Sequence, residues 1–103
     1  MTLEPADLNA AYDELMTWSP RLGMPLIPRL QERLPSVSLE YAQALEEECR
    51  AAQSLANDLC QKAFANQLTQ IEVKMLLLEK FPWIDQTNFN HAYNQGGYYA
   101  WHG

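Results

Sequence analysis

Apolar positions recur at helical spacings in five stretches of this chain, separated by Pro, Gly, Ser, Thr and Asp. The first stripe is Leu8, Ala11, Tyr12, Leu15 and Met16, one face of a helix. Thr2 is placed to cap it, with Glu4 and Pro5 in an opening turn that tolerates proline, and Ser19-Pro20 to end it. A loop containing Gly23 leads to Pro25, which opens a short second helix with Leu26, Ile27, Leu30 and Leu34; Pro35 stops it. Ser38 then caps the longest segment, which the pattern predicts as a helix over about 39–66, because Ala, Leu, Glu and Gln dominate it and neither Gly nor Pro interrupts it. Thr69-Gln70-Ile71-Glu72 matches a capping box, with Leu68 and Val73 spaced as its hydrophobic staple. The helix it opens carries Ile71, Met75, Leu78 and Phe81 and ends at Pro82. Asp85 caps a last helix with Phe89, Ala92 and Tyr93, which Gly96-Gly97 is expected to close. The expected fold is all-α, a small bundle of about five helices around one long central helix, in a single domain spanning residues 1–103.

The central helix carries the most specific pattern. Ala42, Leu45, Cys49, Ala52, Ala56, Leu59 and Ala63 alternate spacings of three and four residues, as a heptad seam requires. Positions 42, 49, 56 and 63 are all Ala or Cys, small enough for a second helix to approach closely. Tyr41 and Leu55 widen the stripe, and the i, i+4 pairs Glu46–Arg50 and Asp58–Lys62 lie on the solvated side. The seam is about 30 Å long, more than the neighbouring helices of about 10 to 15 residues readily cover. Two coverings are open: a second copy packed antiparallel, or the chain's own helices. The first is slightly favoured.

Composition changes this picture by exclusion. With 48% hydrophobic and 19% charged residues the chain is globular, not disordered. The formal net charge is −6, and the basic residues are scattered singly from Arg21 to Lys80, which argues against nucleic acid and anionic membrane as partners. No apolar run approaches the ~20 residues of a membrane span. Met1-Thr2-Leu3-Glu4-Pro5 has neither the basic region nor the apolar core of a secretory signal, so the cytoplasm is the expected location.

Candidate chemistry is sparse. Cys49 and Cys60 lie about 16 Å apart along one helix, too far for an internal disulfide and spaced unlike a zinc pair. Cys49 reads as a small buried hydrophobe, and Cys60 as a residue at the stripe's margin, partly exposed. His91 has no second ligand at i+3 or i+4, and His102 lies beyond the Gly pair, so no metal or other cofactor is expected. Glu46, Glu47 and Glu48 spread over about 200° of helix surface and make a solvated face. No nucleophile–base pairing, phosphate loop or paired-carboxylate motif appears, and an enzyme is not expected.

The remaining feature is aromatic. Phe81, Trp83, Phe89, Tyr93, Tyr98, Tyr99 and Trp101 crowd the C-terminal end, in a stretch with no Lys or Arg. Trp83, Tyr93, Tyr98, Tyr99 and Trp101 are candidates for a surface that grips a partner or lines a small-ligand pocket, though such rings more often close a core. The segment from Leu76 to Ala92, with Phe81-Pro82 between two short helices, resembles the opening of a ubiquitin-associated three-helix module. Its third helix would have to begin near Tyr98, where six residues remain, so nothing is carried over from it. The sequence thus points to a non-enzymatic interaction or accessory protein that pairs with itself and with another protein. The alternative is a helical protein that binds a small ligand through its aromatic end.

Overall fold

The computed structural model describes residues 1–17 and 24–102, and the described residues form helices and turns without a strand. The helices are α1 (Pro5–Met16), α2 (Leu26–Arg33), α3 (Leu39–Phe64), α4 (Gln70–Lys80) and α5 (Gln86–His102). This is the expected all-α fold with α3 as its long element. Among the described residues, no helix is long and apolar enough to cross a membrane. Ser19-Pro20 and the Gly23 loop lie outside the described residues. The chain divides into two compact units, Met1–Arg50 and Ala51–Gly103, and α3 contributes its first half to one and its second half to the other.

In the N-terminal unit α1 packs on α2 and buries Leu8, Ala11, Tyr12 and Met16. Thr2 is not the cap of α1; Glu4 holds that position, with no side-chain cap bond of its own. The reason lies in α3, where Tyr41 reaches across: its phenol accepts from the Glu4 N–H at 3.0 Å and donates to Asp7 Oδ2 at 2.8 Å. A phenol far away in sequence therefore ties down the start of α1. At the other end, Thr17 Oγ1 donates to the Asp13 carbonyl at 2.6 Å. Ser38 does open α3 as expected, its Oγ accepting from the Tyr41 N–H at 3.1 Å.

The stripe on α1 is not wholly apolar. Glu14 is buried there and Leu15 only half-buried. Glu14 Oε1 accepts from Arg29 Nε at 3.1 Å, and the Arg29 guanidinium also donates to the Glu14 carbonyl. Arg33 Nη1 reaches the other carboxylate oxygen, Glu14 Oε2, at 3.3 Å and Asp13 Oδ2 at 2.7 Å. Arg29 is only 3% exposed, and its bonds to Glu14 offset the cost of burying its charge. Partial burial lowers the Arg33 pKa, but the bonds and charges of Asp13 and then Glu14 outweigh it and raise the guanidinium above its ordinary value.

In the C-terminal unit α3 ends at Phe64, two residues short of the predicted Asn66. Asn66 takes the left-handed conformation (φ 63°), and the N–H groups of Asn66 and Gln67 bond to the carbonyls of Ala63 (3.0 Å) and Lys62 (2.8 Å). These are the two bonds of a Schellman ending, with Asn in the place glycine usually takes. The capping box is formed in both directions, Thr69 Oγ1 accepting from the Glu72 N–H (3.2 Å) and Glu72 Oε1 from the Thr69 N–H (3.0 Å).

Gly96-Gly97 does not close the last helix. Asp85 Oδ1 accepts from the Asn88 N–H at 2.8 Å to cap α5, which then runs through both glycines to His102 and is longer, at 17 residues, than the sequence suggested. Gly96 is needed there for packing and not for a turn. A Cβ on it would lie 2.6 Å from Cys60 Sγ and 2.9 Å from Cys60 Cβ, whereas a Cβ on Gly97 would meet nothing. The helices α3 and α5 therefore approach closely at Cys60, which is buried and not marginal as expected. With α5 running on to His102, no separate third helix follows Phe81-Pro82.

Candidate interaction surfaces

The seam on α3 is core. Ala42, Leu45, Cys49, Ala52, Ala56 and Leu59 are buried within a single chain, and Ala63 is half-buried. Of the two coverings left open by the sequence, burial by the chain's own residues is the one found at these six positions. Cys49 illustrates the point, its thiol donating to the Leu8 carbonyl at 3.5 Å, while the Cys60 thiol meets the Tyr93 carbonyl at 3.7 Å. Burial, with a smaller contribution from Glu48, pushes the Cys49 thiol up to about 12, and burial alone pushes Cys60 up to about 11. Thiols so raised are poor nucleophiles and poor metal ligands at neutral pH. Among the described residues no group of three or more His, Cys, Asp and Glu is placed to hold a metal ion.

The aromatic candidates are spread along α5 and not gathered. Trp83 and Tyr93 are half-buried, stacked edge-on with Phe81 (6.3 Å between centroids) and tilted against Phe89 (6.0 Å) respectively. Tyr98, Tyr99 and Trp101 are exposed on the last turns, Trp101 at 68%. Because α5 is continuous, its first residue and Trp101 are separated by about 22 Å along the axis. Trp83, which precedes α5, and Trp101 therefore do not line one pocket. Tyr93 and Tyr98 are also some 140° apart around the helix. The first turn of α5 is anchored on Lys74, whose ammonium bonds Gln86 and lies 5.7 Å from the centroid of the Phe89 ring.

Large apolar side chains are also exposed on α4, among them two of the four that mark this helix in the sequence. Ile71 is 72% and Met75 66% exposed, with Leu76 also exposed and Leu78 and Phe81 half-buried. Val73 and Leu77 face inward instead. The physical reason is that α4 is apolar on two sides. Ile71, Met75 and Leu78 form one i, i+4, i+7 row, while Val73 and Leu77 form another roughly opposite it. Periodicity alone does not rank two rows, but the staple spacing of Leu68 and Val73 favours the row that contains Val73, which is the buried one. That signal was present in the sequence and outweighs the longer row.

Beside the outward row runs a column of two acids. Glu72 and Glu79 are seven residues apart, about 10.5 Å along the axis, and Met75 and Leu76 fill the gap between them. The four residues line an open cleft of about 210 Å³. This is below the roughly 300–1,000 Å³ of small-molecule sites and of a size for one or two side chains. Among the described residues neither carboxylate is paired with a base. A second hollow, lined by Asp58, Gln61, Lys62 and Gln67, is polar and open and has no apolar floor. Comparison with protein-family models, with curated proteins and with solved structures finds no match for this chain.

Proposed function

We propose that this chain is a non-enzymatic helical interaction protein of the cytoplasm that docks another protein on the outer face of α4. The observation that carries the reading is the exposure of Ile71 and Met75 on a helix fixed at its start by a complete capping box. Large apolar side chains held outward on a rigid element, beside a side-chain-sized cleft, are what an interface presents before its partner arrives. The exposed rings of Tyr98, Tyr99 and Trp101 on α5 belong to the same unit and are residue types favoured as interface anchors.

Replacing Met75 by a photo-crosslinking phenylalanine analogue in the producing cell tests the reading, with Glu47, exposed on α3, as the control position. The expected outcome is a discrete crosslinked product from position 75 and none from position 47. No product at position 75, or the same products at both, removes α4 as the docking face.

A further inference from the structure

The charge around the α4 row identifies what kind of partner it takes, an inference that rests on the docking role proposed above. The row Ile71, Met75 and Leu78 is two helical turns long and spaced as one side of a helix–helix contact. One flank of the row is anionic: among the described residues neither Glu72 nor Glu79 has a basic partner, and Glu72 engages one carboxylate oxygen with the Thr69 N–H of the capping box. The other flank holds Lys74, but its ammonium is turned onto Gln86 and the Phe89 ring and is spent within the unit. The row thus has two carboxylates on one flank and, on the other, an ammonium held against Gln86 and the Phe89 ring.

A second copy fits this badly. In an antiparallel pair the same flanks of the two helices meet, so Glu72 of one copy faces Glu79 of the other, and like charges across an interface are unfavourable. In a parallel pair the acids would meet Lys74 only if its ammonium left Gln86 and the Phe89 ring. A cationic helix has neither problem. Its apolar residues cover Ile71 and Met75, while an Arg or Lys stem lies on the Met75–Leu76 floor of the cleft with its charged head at a carboxylate.

We propose that the outer face of α4 seats an amphipathic helix of another protein, its apolar stripe on Ile71 and Met75 and its basic side chains in the cleft between Glu72 and Glu79. The full chain is titrated into two fluorescein-labelled synthetic helices of equal length, one built from Leu and Arg and one from Leu and Glu, and anisotropy is read. The Leu–Arg helix is expected to bind roughly tenfold or more tightly than the Leu–Glu helix. Glu72→Gln with Glu79→Gln is expected to remove most of that preference; Gln at position 72 still completes the capping box, so the helix survives. Glu40→Gln with Glu47→Gln, an equal loss of charge on exposed α3 positions, is expected to leave binding unchanged, which separates the cleft from general attraction to an acidic chain.

Three results overturn the proposal in distinguishable ways. Equal binding of both helices, lost on Ile71→Ser with Met75→Ser, leaves the docking face standing and refutes the charge preference. Binding of the Leu–Arg helix that ignores Ile71→Ser and Met75→Ser refutes both readings. A wild-type chain that elutes as a dimer and becomes monomeric on Ile71→Ser makes the occupant a second copy.

Discussion

The two units are held together by different physics. In Met1–Arg50 polar groups span between helices: Glu14 on α1 binds Arg29 and Arg33 on α2, and Tyr41 on α3 binds Glu4 and Asp7 at the start of α1. In Ala51–Gly103 the buried joints are mainly apolar and steric, with Gly96 against Cys60, and Val73, Leu77 and Phe89 buried, while the Lys74–Gln86 bond between α4 and α5 is exposed and the caps at Thr69 and Asp85 are local to their own helices. Exposed large apolar residues follow the same division. Among the described residues Met1, Met24 and Leu39 are exposed in the first unit, against Phe64, Ile71, Met75, Leu76, Tyr98, Tyr99 and Trp101 in the second. The unit closed by packing at Gly96 and Phe89 is thus also the one that carries most of the described exposed apolar side chains, and it is the unit for which a docking surface is proposed.

The largest effect that sharpens the comparison is expected from Glu14. Glu14→Leu leaves the Arg29 guanidinium buried without its countercharge and should cost about 3–5 kcal/mol, read by urea denaturation, with most of the loss restored in Glu14→Leu combined with Arg29→Met. If Glu14→Leu costs no more than Asp13→Leu, whose side chain is part-exposed, the first unit is not held by its ion pair. Next is the pair of glycines. Gly96→Ala drives a methyl group into Cys60 and should cost about 1–3 kcal/mol. Gly97→Ala enters open space within a helix and should be stabilising by about 0.5–1 kcal/mol. Equal effects at the two positions would mean that α3 and α5 do not touch at Gly96.

An effect confined to alkali distinguishes the folded units from the unfolded chain. Cys49 and Cys60 have folded pKa values of about 12 and about 11 against an ordinary 9.0, so the unfolded chain loses these protons first. Their contribution is fully present below about pH 9 and is lost as pH rises toward 11 and 12. The parent should therefore lose stability between pH 9 and 11 faster than Cys49→Ala with Cys60→Ala does, and its thiols should resist iodoacetamide at pH 8 until urea is added. Prompt alkylation of the native chain would contradict the burial of both side chains.

How legible this was in the sequence depended on whether the signal was local. The capping box at Thr69, the Ser38 and Asp85 caps and the uninterrupted run that becomes α3 are all written within a few residues, and each is found where the spacing places it. The start of α1 was misread because its partner, the Tyr41 phenol, arrives from a distant helix. Gly96-Gly97 was misread because a glycine that ends a helix and one that admits a neighbouring helix look the same along a chain. Only the proximity of Cys60 tells them apart. The seam was legible as an apolar row, but not which of its two possible coverings applies, since length alone does not say whether one chain's helices reach along it. On α4 two apolar rows competed, and the longer one turned out to be the outer.

That outer row is the claim on which the functional reading stands, and the difference in unfolding free energy between Ile71→Ser and Leu77→Ala tests it most directly. The structure predicts that Ile71→Ser stays within about 0.5 kcal/mol of the parent, as exposed positions do, while Leu77→Ala, at a side chain with no exposed surface, loses about 2–5 kcal/mol. The reverse order, with Ile71→Ser the more damaging, would place the Ile71–Met75 row in the core and leave α4 with no docking face.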